Sequence, residues 1–179
     1  MQHQLNSLFS IPKDLQKFHT NWNFDIAWAP FDHACTYQMR HSNGATRYLK
    51  MVRKNAYPSI ADELERLRWA KAFLPVPKII DFDLWADPAW LLSEGIEGIN
   101  GTAPDLKSKP ALLVSLLARA LRHFRDNAPA SDCPFDFRLP KALKHITQRA
   151  QLGLIQPEKQ FHPEFQHLPL EVAQSFLKE

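Results

Sequence analysis

Lys50 and Glu63 are the two side chains whose types and spacing could do chemistry together. Lys50 sits mid-strand in Tyr48-Leu49-Lys50-Met51, and Glu63 lies one turn into the helix that follows. A lysine ammonium is a compact point charge suited to phosphate oxygens, and a carboxylate on a neighbouring element can hold it in place. In isolation such a pair is more often an exposed strand lysine and a helix-surface acid, so the surrounding elements must decide. Other chemistries find little support. The five glycines, Gly44, Gly95, Gly98, Gly101 and Gly153, complete neither a GxGxxG nor a GxxxxGK(S/T) frame, which excludes the Rossmann and P-loop phosphate cradles. The eight histidines include no HExxH, and His162 and His167 lack a third ligand. No GxSxG occurs, Cys35 and Cys133 form no CxxC, and His33 near Cys35 falls on a turn. His123-Phe124-Arg125-Asp126-Asn127 has the letters of a kinase His-Arg-Asp at the wrong spacing, and it ends an amphipathic helix.

The elements that must position Lys50 and Glu63 can be read from periodicity. Ser10 and Pro12 open a short helix predicted to run to about Thr20. Trp22, Phe24, Ile26 and Trp28 fall at period two, which predicts a strand with one strongly apolar face. Residues 34–40 and 46–52 flank Asn43-Gly44, a hairpin signal that asks for positive φ at both turn residues. The period then changes: Ile60, Leu64, Leu67 and Ala70 predict a helix over 59–74, with Ser59 and Asp62 as a capping-box start. Residues 78–84 and 89–93 read as two more strands. The result is an α+β arrangement: a five-stranded antiparallel lobe with one helix inserted after the third strand. Glu94 to Gly101 holds three of the five glycines and reads as a linker. Beyond it only helices are expected, at 108–126, at 140–152 with Gly153 as its C-cap, and at 170–177, with a polar loop over 155–168. A sheet with one inserted helix, a linker and then helices is the order of a protein-kinase-like small lobe and hinge. The expected organisation is an N-terminal lobe at 1–94, a hinge at 95–101 and the first helices of an incomplete helical lobe at 102–179.

Composition bounds the setting. The chain has 179 residues, 45% hydrophobic and 23% charged, which is ordinary globular usage and excludes disordered or collagenous chains. Its net charge of +3 is scattered, and the densest basic run, Lys50 to Lys54, is interrupted, so no nucleic-acid partner is expected. No apolar run approaches the roughly 20 residues of a membrane span, and the N-terminus lacks a basic start followed by an apolar stretch. A soluble cytoplasmic chain with reduced thiols is the expectation.

Five segments occur in order and in register with one known family: Tyr48-Leu-Lys50-Met, Asp62-Glu63-Leu-Glu-Arg-Leu-Arg-Trp69, Leu74-Pro-Val-Pro-Lys-Ile-Ile80, Trp90-Leu-Leu-Ser-Glu94 with Gly98, and Ser131-Asp-Cys-Pro-Phe135. From about residue 20 onward the chain resembles the bacterial aminoglycoside 3′-phosphotransferases. The resemblance implies ATP and Mg²⁺ as cofactors and an aminoglycoside-like small molecule as acceptor. It makes Lys50 the phosphate-binding lysine, Glu63 its ion-pair partner and Tyr48 the aromatic that stacks on adenine. Ser93, Glu94 and Gly95 become the hinge whose backbone pairs with the adenine edge. The hairpin around 30–37 would lie over the phosphates, and the loop carrying Glu158 and Glu164 would meet the acceptor.

The same comparison shows departures. Asp32-His33-Ala34-Cys35 stands where the family commonly has a small polar phosphate donor, and an Asp there repels ATP unless it points away. Glu97 stands where a proline is frequent. Only Glu158 and Glu164 are acidic in the acceptor loop. The family's His-Gly-Asp motif with its following Asn, and its Ile-Asp-x-Gly motif for magnesium, are absent from these 179 residues. A chain truncated before the catalytic loop, without turnover of its own, is therefore expected. The alternatives are a non-catalytic nucleotide-binding pseudokinase or decayed gene product, and a kinase of another small molecule such as a macrolide or a sugar. The apolar stripe on 113–124 further predicts exposed apolar surface and self-association.

Overall fold

The computed structural model describes residues 9–18, 21–54, 56, 58–131, 133–136, 138–153, 155 and 157–167. Two compact units emerge, Met1–Asp132 and Cys133–Glu179.

The first unit is built on five strands, β1 (Trp22–Phe31), β2 (Ala34–His41), β3 (Thr46–Val52), β4 (Ile79–Asp83) and β5 (Ala89–Glu94). They pair antiparallel throughout in the order β1-β2-β3-β5-β4. Alternation sorts the side chains between the two faces. Tyr37, Met39, Leu49, Met51, Trp90 and Leu92 turn to one side, where Phe9 and Leu15 close over them. Leu15 belongs to a 3-10 helix, Lys13–Phe18, which takes the place of the longer helix expected from Ser10. On the opposite face Ala34, Val52 and Leu91 pack against Ile60 and Leu64 of helix α1 (Ile60–Ala70). Gln38, Tyr48 and Ser93 lie further along that same face, and none of them is buried.

Two details depart from pattern reading. The register of β1 to β2 slips between Ile26 and Trp28, so Trp28 pairs with Thr36 and does not share the face of Phe24. Thr36 pairs in turn with Lys50, which puts Trp28 on the lysine's face, 57% exposed. One extra residue reverses every face beyond it, and a count of alternating residues cannot see that. Residues 42–45 connect β2 to β3, with three residues between the paired His41 and Ala45, and Gly44, at φ +91°, takes the left-handed position. The amide of His41 donates to Ala45 O and that of Gly44 to His41 O, each at 2.9 Å, while the Asn43 side chain accepts from Ala45 N at 3.0 Å. Asn43 thus serves as a local side-chain acceptor in a wider turn than the two-residue one expected.

Helix α1 starts as the sequence predicts. The Ser59 hydroxyl accepts from Asp62 N at 3.1 Å, and Asp62 accepts from Ser59 N at 3.0 Å, a complete capping box. After β5 the segment to Ala103 forms no helix or strand, and it leads into α2 (Pro104–Lys107) and α3 (Pro110–Asn127). Phe124 of α3 meets Trp69 of α1 edge-on at 6.3 Å, yet α3 buries none of its residues.

The second unit contains α4 (Leu139–Gln151), α5 (Pro157–Gln160) and a 3-10 turn, Pro163–Phe165. Gly153, at φ +65°, ends α4 with its amide on Ala150 O at 3.0 Å, as its placement in the sequence implied. Ahead of α4, Asp136 accepts from both the backbone and the guanidinium of Arg138, and that side-chain bond holds its carboxyl well below the usual carboxylate range. The loop read over 155–168 thus carries two short helical turns. The helix expected at 170–177 lies outside the described residues.

Candidate functional site

Helix α1 brings Glu63 onto Lys50. Its cap at Ser59 sets where the first turn begins, and Glu63 in that turn is also favoured by the positive end of the helix. Burial of Ile60 and Leu64 then rotates the helix so that Glu63 faces β3. The Lys50 ammonium and the Glu63 carboxylate form an ion pair, with both side chains partly exposed. The pair retains access to solvent, so Lys50 can hold a second anion beside Glu63.

Along the same face, toward the β2–β3 turn, lies a cavity of about 430 Å³. Gln38, Thr46 and Tyr48 line it from the sheet, as does Glu94 at the end of β5, and residues 95–98 line it from the segment that follows. Ser93 sits opposite Tyr48 in the β3–β5 register. Three of the residues predicted for the site, Tyr48, Glu94 and Gly95, therefore border one cavity. Lys50 lies two residues further along β3 and is not part of its lining.

The hinge backbone is partly committed. The Glu94 amide donates to Lys78 O at 2.9 Å, and the Gly95 amide donates to Thr46 O at 2.8 Å. Neither of these two amides is open to a ligand edge at the hinge. Gly95 has a steric reason to be glycine. A Cβ there would lie 3.0 Å from the Thr46 carbonyl oxygen and 3.1 Å from its side chain. We expect Gly95→Ala to push β5 away from β3 and cost about 1–3 kcal/mol. Thermal melting checks this, and an unchanged melting temperature would show that Thr46 can yield.

The loop between β1 and β2 is tied back by the amide of Arg53, which donates to His33 O at 2.9 Å. Asp32 is 95% exposed and lies 3.4 Å from the His33 ring. Cys35, next in the chain but one, is buried, and burial pushes its thiol up from the ordinary value. That disposes of a reactive Cys35 with His33. Glu158 and Glu164 belong to the second unit. The carbonyl of Glu158 accepts from Gln166, and the amide of Glu164 donates to His162 Nδ1 at 3.4 Å. Among the described residues no three His, Cys, Asp or Glu side chains cluster as metal ligands.

Sequence reasoning passed over Gln38, Arg40 and Asp25, which stand on the Tyr48 face. Gln38 donates to the Tyr48 hydroxyl at 3.1 Å and accepts from Arg40 at 2.6 Å, and Arg40 donates to Asp25 at 2.7 Å. The signal that could have found them is the hairpin register, which sets Gln38 opposite Tyr48.

An aminoglycoside 3′-phosphotransferase of Niallia circulans is 28% identical over 121 residues, covering 68% of this chain and 46% of the relative. The protein of that name from Escherichia coli is 29% identical over 110 residues, covering 60% of this chain and 40% of the relative. The chain thus spans less than half the length of these relatives. A crystal structure of a type VIII aminoglycoside 3′-phosphotransferase superposes with a TM-score of 0.77 at 21% identity, over 88% of this chain and 58% of that one. It shares the α+β, protein-kinase-like fold. The phosphotransferase enzyme family matches residues 31–175. By its sheet, its inserted helix and that match, the chain belongs to the phosphotransferase enzyme family.

Proposed function

We propose that this chain carries the ATP-binding lobe of a kinase that phosphorylates a hydroxyl of an aminoglycoside. The observation that carries the reading is the Lys50–Glu63 ion pair on an open sheet face, next to the cavity bounded by Tyr48 and residues 94–98. In this reading residues 1–94 form the nucleotide lobe, 95–101 the hinge, and 102–179 the first part of a helical lobe. Lys50 neutralises the α and β phosphates, and Glu63 keeps its ammonium from swinging into solvent. Tyr48 stacks on adenine. Backbone groups of Ser93, Glu94 and Gly95, other than the two amides already engaged, pair with its edge. Glu158 and Glu164 supply attraction for a polycationic acceptor. A cytosolic setting, where ATP is supplied, goes with this function.

The aminoglycoside acceptor rests on the relatives, and a macrolide or sugar is distinguished by a substrate panel. Transfer is a separate matter from binding. The sequence contains no His-Gly-Asp and no Ile-Asp-x-Gly, so a general base and a metal carboxylate of that type are not in these 179 residues. That favours a second reading, a nucleotide binder without turnover. We expect calorimetry to detect ADP binding to the 179-residue chain, and radiolabelled ATP with kanamycin to yield no more product than the Lys50→Ala variant. Absence of any ADP binding would overturn the nucleotide reading and leave a decayed product. Phosphorylated kanamycin above that control would overturn the inactive one.

Self-association accompanies the proposal. Val114, Leu117 and Leu121 of α3 are 64%, 55% and 70% exposed, an apolar surface that soluble monomers seldom leave open. The chain should bind an apolar-sensing dye and sediment above monomer mass, and Leu121→Glu should reduce both. A dye-silent monomer would show that the stripe is covered.

A further inference from the structure

The hydrogen bonds around Tyr48 have a direction, and it can be read without ambiguity. Arginine offers only donors, so the Gln38 oxygen must be the atom facing Arg40, at 2.6 Å. The Gln38 amino group is then the atom facing the Tyr48 hydroxyl, at 3.1 Å. Arg40 is held in turn by Asp25 at 2.7 Å. The usual uncertainty over which way an amide is flipped is removed by the arginine. An amino group can only donate, so the Tyr48 oxygen accepts here and its own proton is left for another acceptor. Gln38 and Tyr48 both line the cavity of about 430 Å³.

From this geometry we infer that Asp25, Arg40 and Gln38 are positioning residues that aim the Tyr48 hydroxyl proton at the bound nucleoside, so that Tyr48 donates a hydrogen bond to it as well as stacking. The acceptor is a ribose oxygen, because the phenolic proton lies in the ring plane and so points past a base stacked on the ring's face. The inference rests on the nucleotide reading of the site and adds a donor to it. Three side chains from β1 and β2 thereby act through a fourth on β3, and the pairing register Asp25, Gln38, Tyr48 makes them neighbours on one face.

Gln38→Glu reverses the polarity at almost constant shape. A carboxylate kept ionised by Arg40 accepts from the Tyr48 hydroxyl and draws its proton away from the ligand. The probe is adenosine, which is uncharged, so that the new carboxylate exerts no net repulsion on it. Calorimetry on the full chain should show Tyr48→Phe weakening adenosine about three- to tenfold, the worth of one hydrogen bond. Gln38→Glu should weaken it by the same factor, and the double variant should lose no more than either. A structural role for Gln38 alone would move the melting temperature and leave these affinities independent. Full adenosine affinity in Tyr48→Phe overturns the inference, as do additive losses in the double variant. Should Gln38→Glu fail to fold, Tyr48→Phe decides by itself, since it keeps the ring and removes only the hydroxyl. A chain that binds ADP normally while Tyr48→Phe changes nothing refutes the donor but leaves the nucleotide site standing. A chain that binds neither ADP nor adenosine refutes both.

Discussion

Lys50→Ala should remove most of the thermal stabilisation that ATP confers on this chain. A ligand at one hundred times its dissociation constant stabilises a folded protein by about 2.7 kcal/mol. A charge-assisted contact to phosphate is worth about 1.5–3 kcal/mol, which is roughly ten- to a hundredfold in affinity. Truncating Lys50 also strands Glu63, a carboxylate whose side chain is only 32% exposed, beside the incoming phosphates. Its repulsion adds to the lost attraction, so the stabilisation at the same ATP concentration should fall below about 1 kcal/mol. Glu63→Gln should do less, because the amide still touches the ammonium but no longer anchors it by charge. The double variant Lys50→Ala with Glu63→Ala separates the two contributions, recovering whatever part was repulsion. A Lys50→Ala chain whose melting temperature still rises fully with ATP would refute the phosphate role.

The second large effect is on folding. Leu92 is fully buried at the centre of β5, with Leu49 opposite it on β3 and Met51, Tyr37 and Trp90 in the same cluster. Leu92→Ala removes three buried carbons from a position flanked by strands on both sides, where the backbone cannot collapse into the gap. The expected loss is about 2–5 kcal/mol, a large share of the 5–15 kcal/mol of a typical domain. Trp85→Ala is the matched control: Trp85 is 87% exposed, and its loss should change stability by less than about 0.5 kcal/mol. Urea melts of the two variants measure both numbers. A Leu92→Ala cost below 1 kcal/mol would mean that the sheet centre repacks.

Much of this was legible in local pattern. A period-two run marked β1, Asn43-Gly44 marked the β2–β3 hairpin, the change to helical period marked α1, and Ser59 with Asp62 announced its start. These signals survive because each depends on neighbours within about four residues, where sequence distance and spatial distance agree. Gly44 and Gly153 were legible for the same reason, since a left-handed backbone excludes most other residues locally. Asn43 shows the limit. Its side chain could serve a turn in more than one way, and the pairing of His41 with Ala45 chose.

By itself the sequence determined the five strands and the helices α1, α3 and α4, their order, and a lysine and a glutamate of suitable type on consecutive elements. Only the tertiary structure decided that Lys50 and Glu63 meet, because the contact depends on how Ile60 and Leu64 seat α1 on the sheet. The same holds for Trp28, moved to the lysine's face by a one-residue slip, and for the Gly95 amide, claimed by Thr46. It holds most of all for the run from Asp25 through Arg40 and Gln38 to Tyr48. Those four residues are scattered over the 24 positions from 25 to 48, on three strands, and carry no motif. Strand pairing sets which side chains stand side by side, and pairing is a property of the assembled sheet.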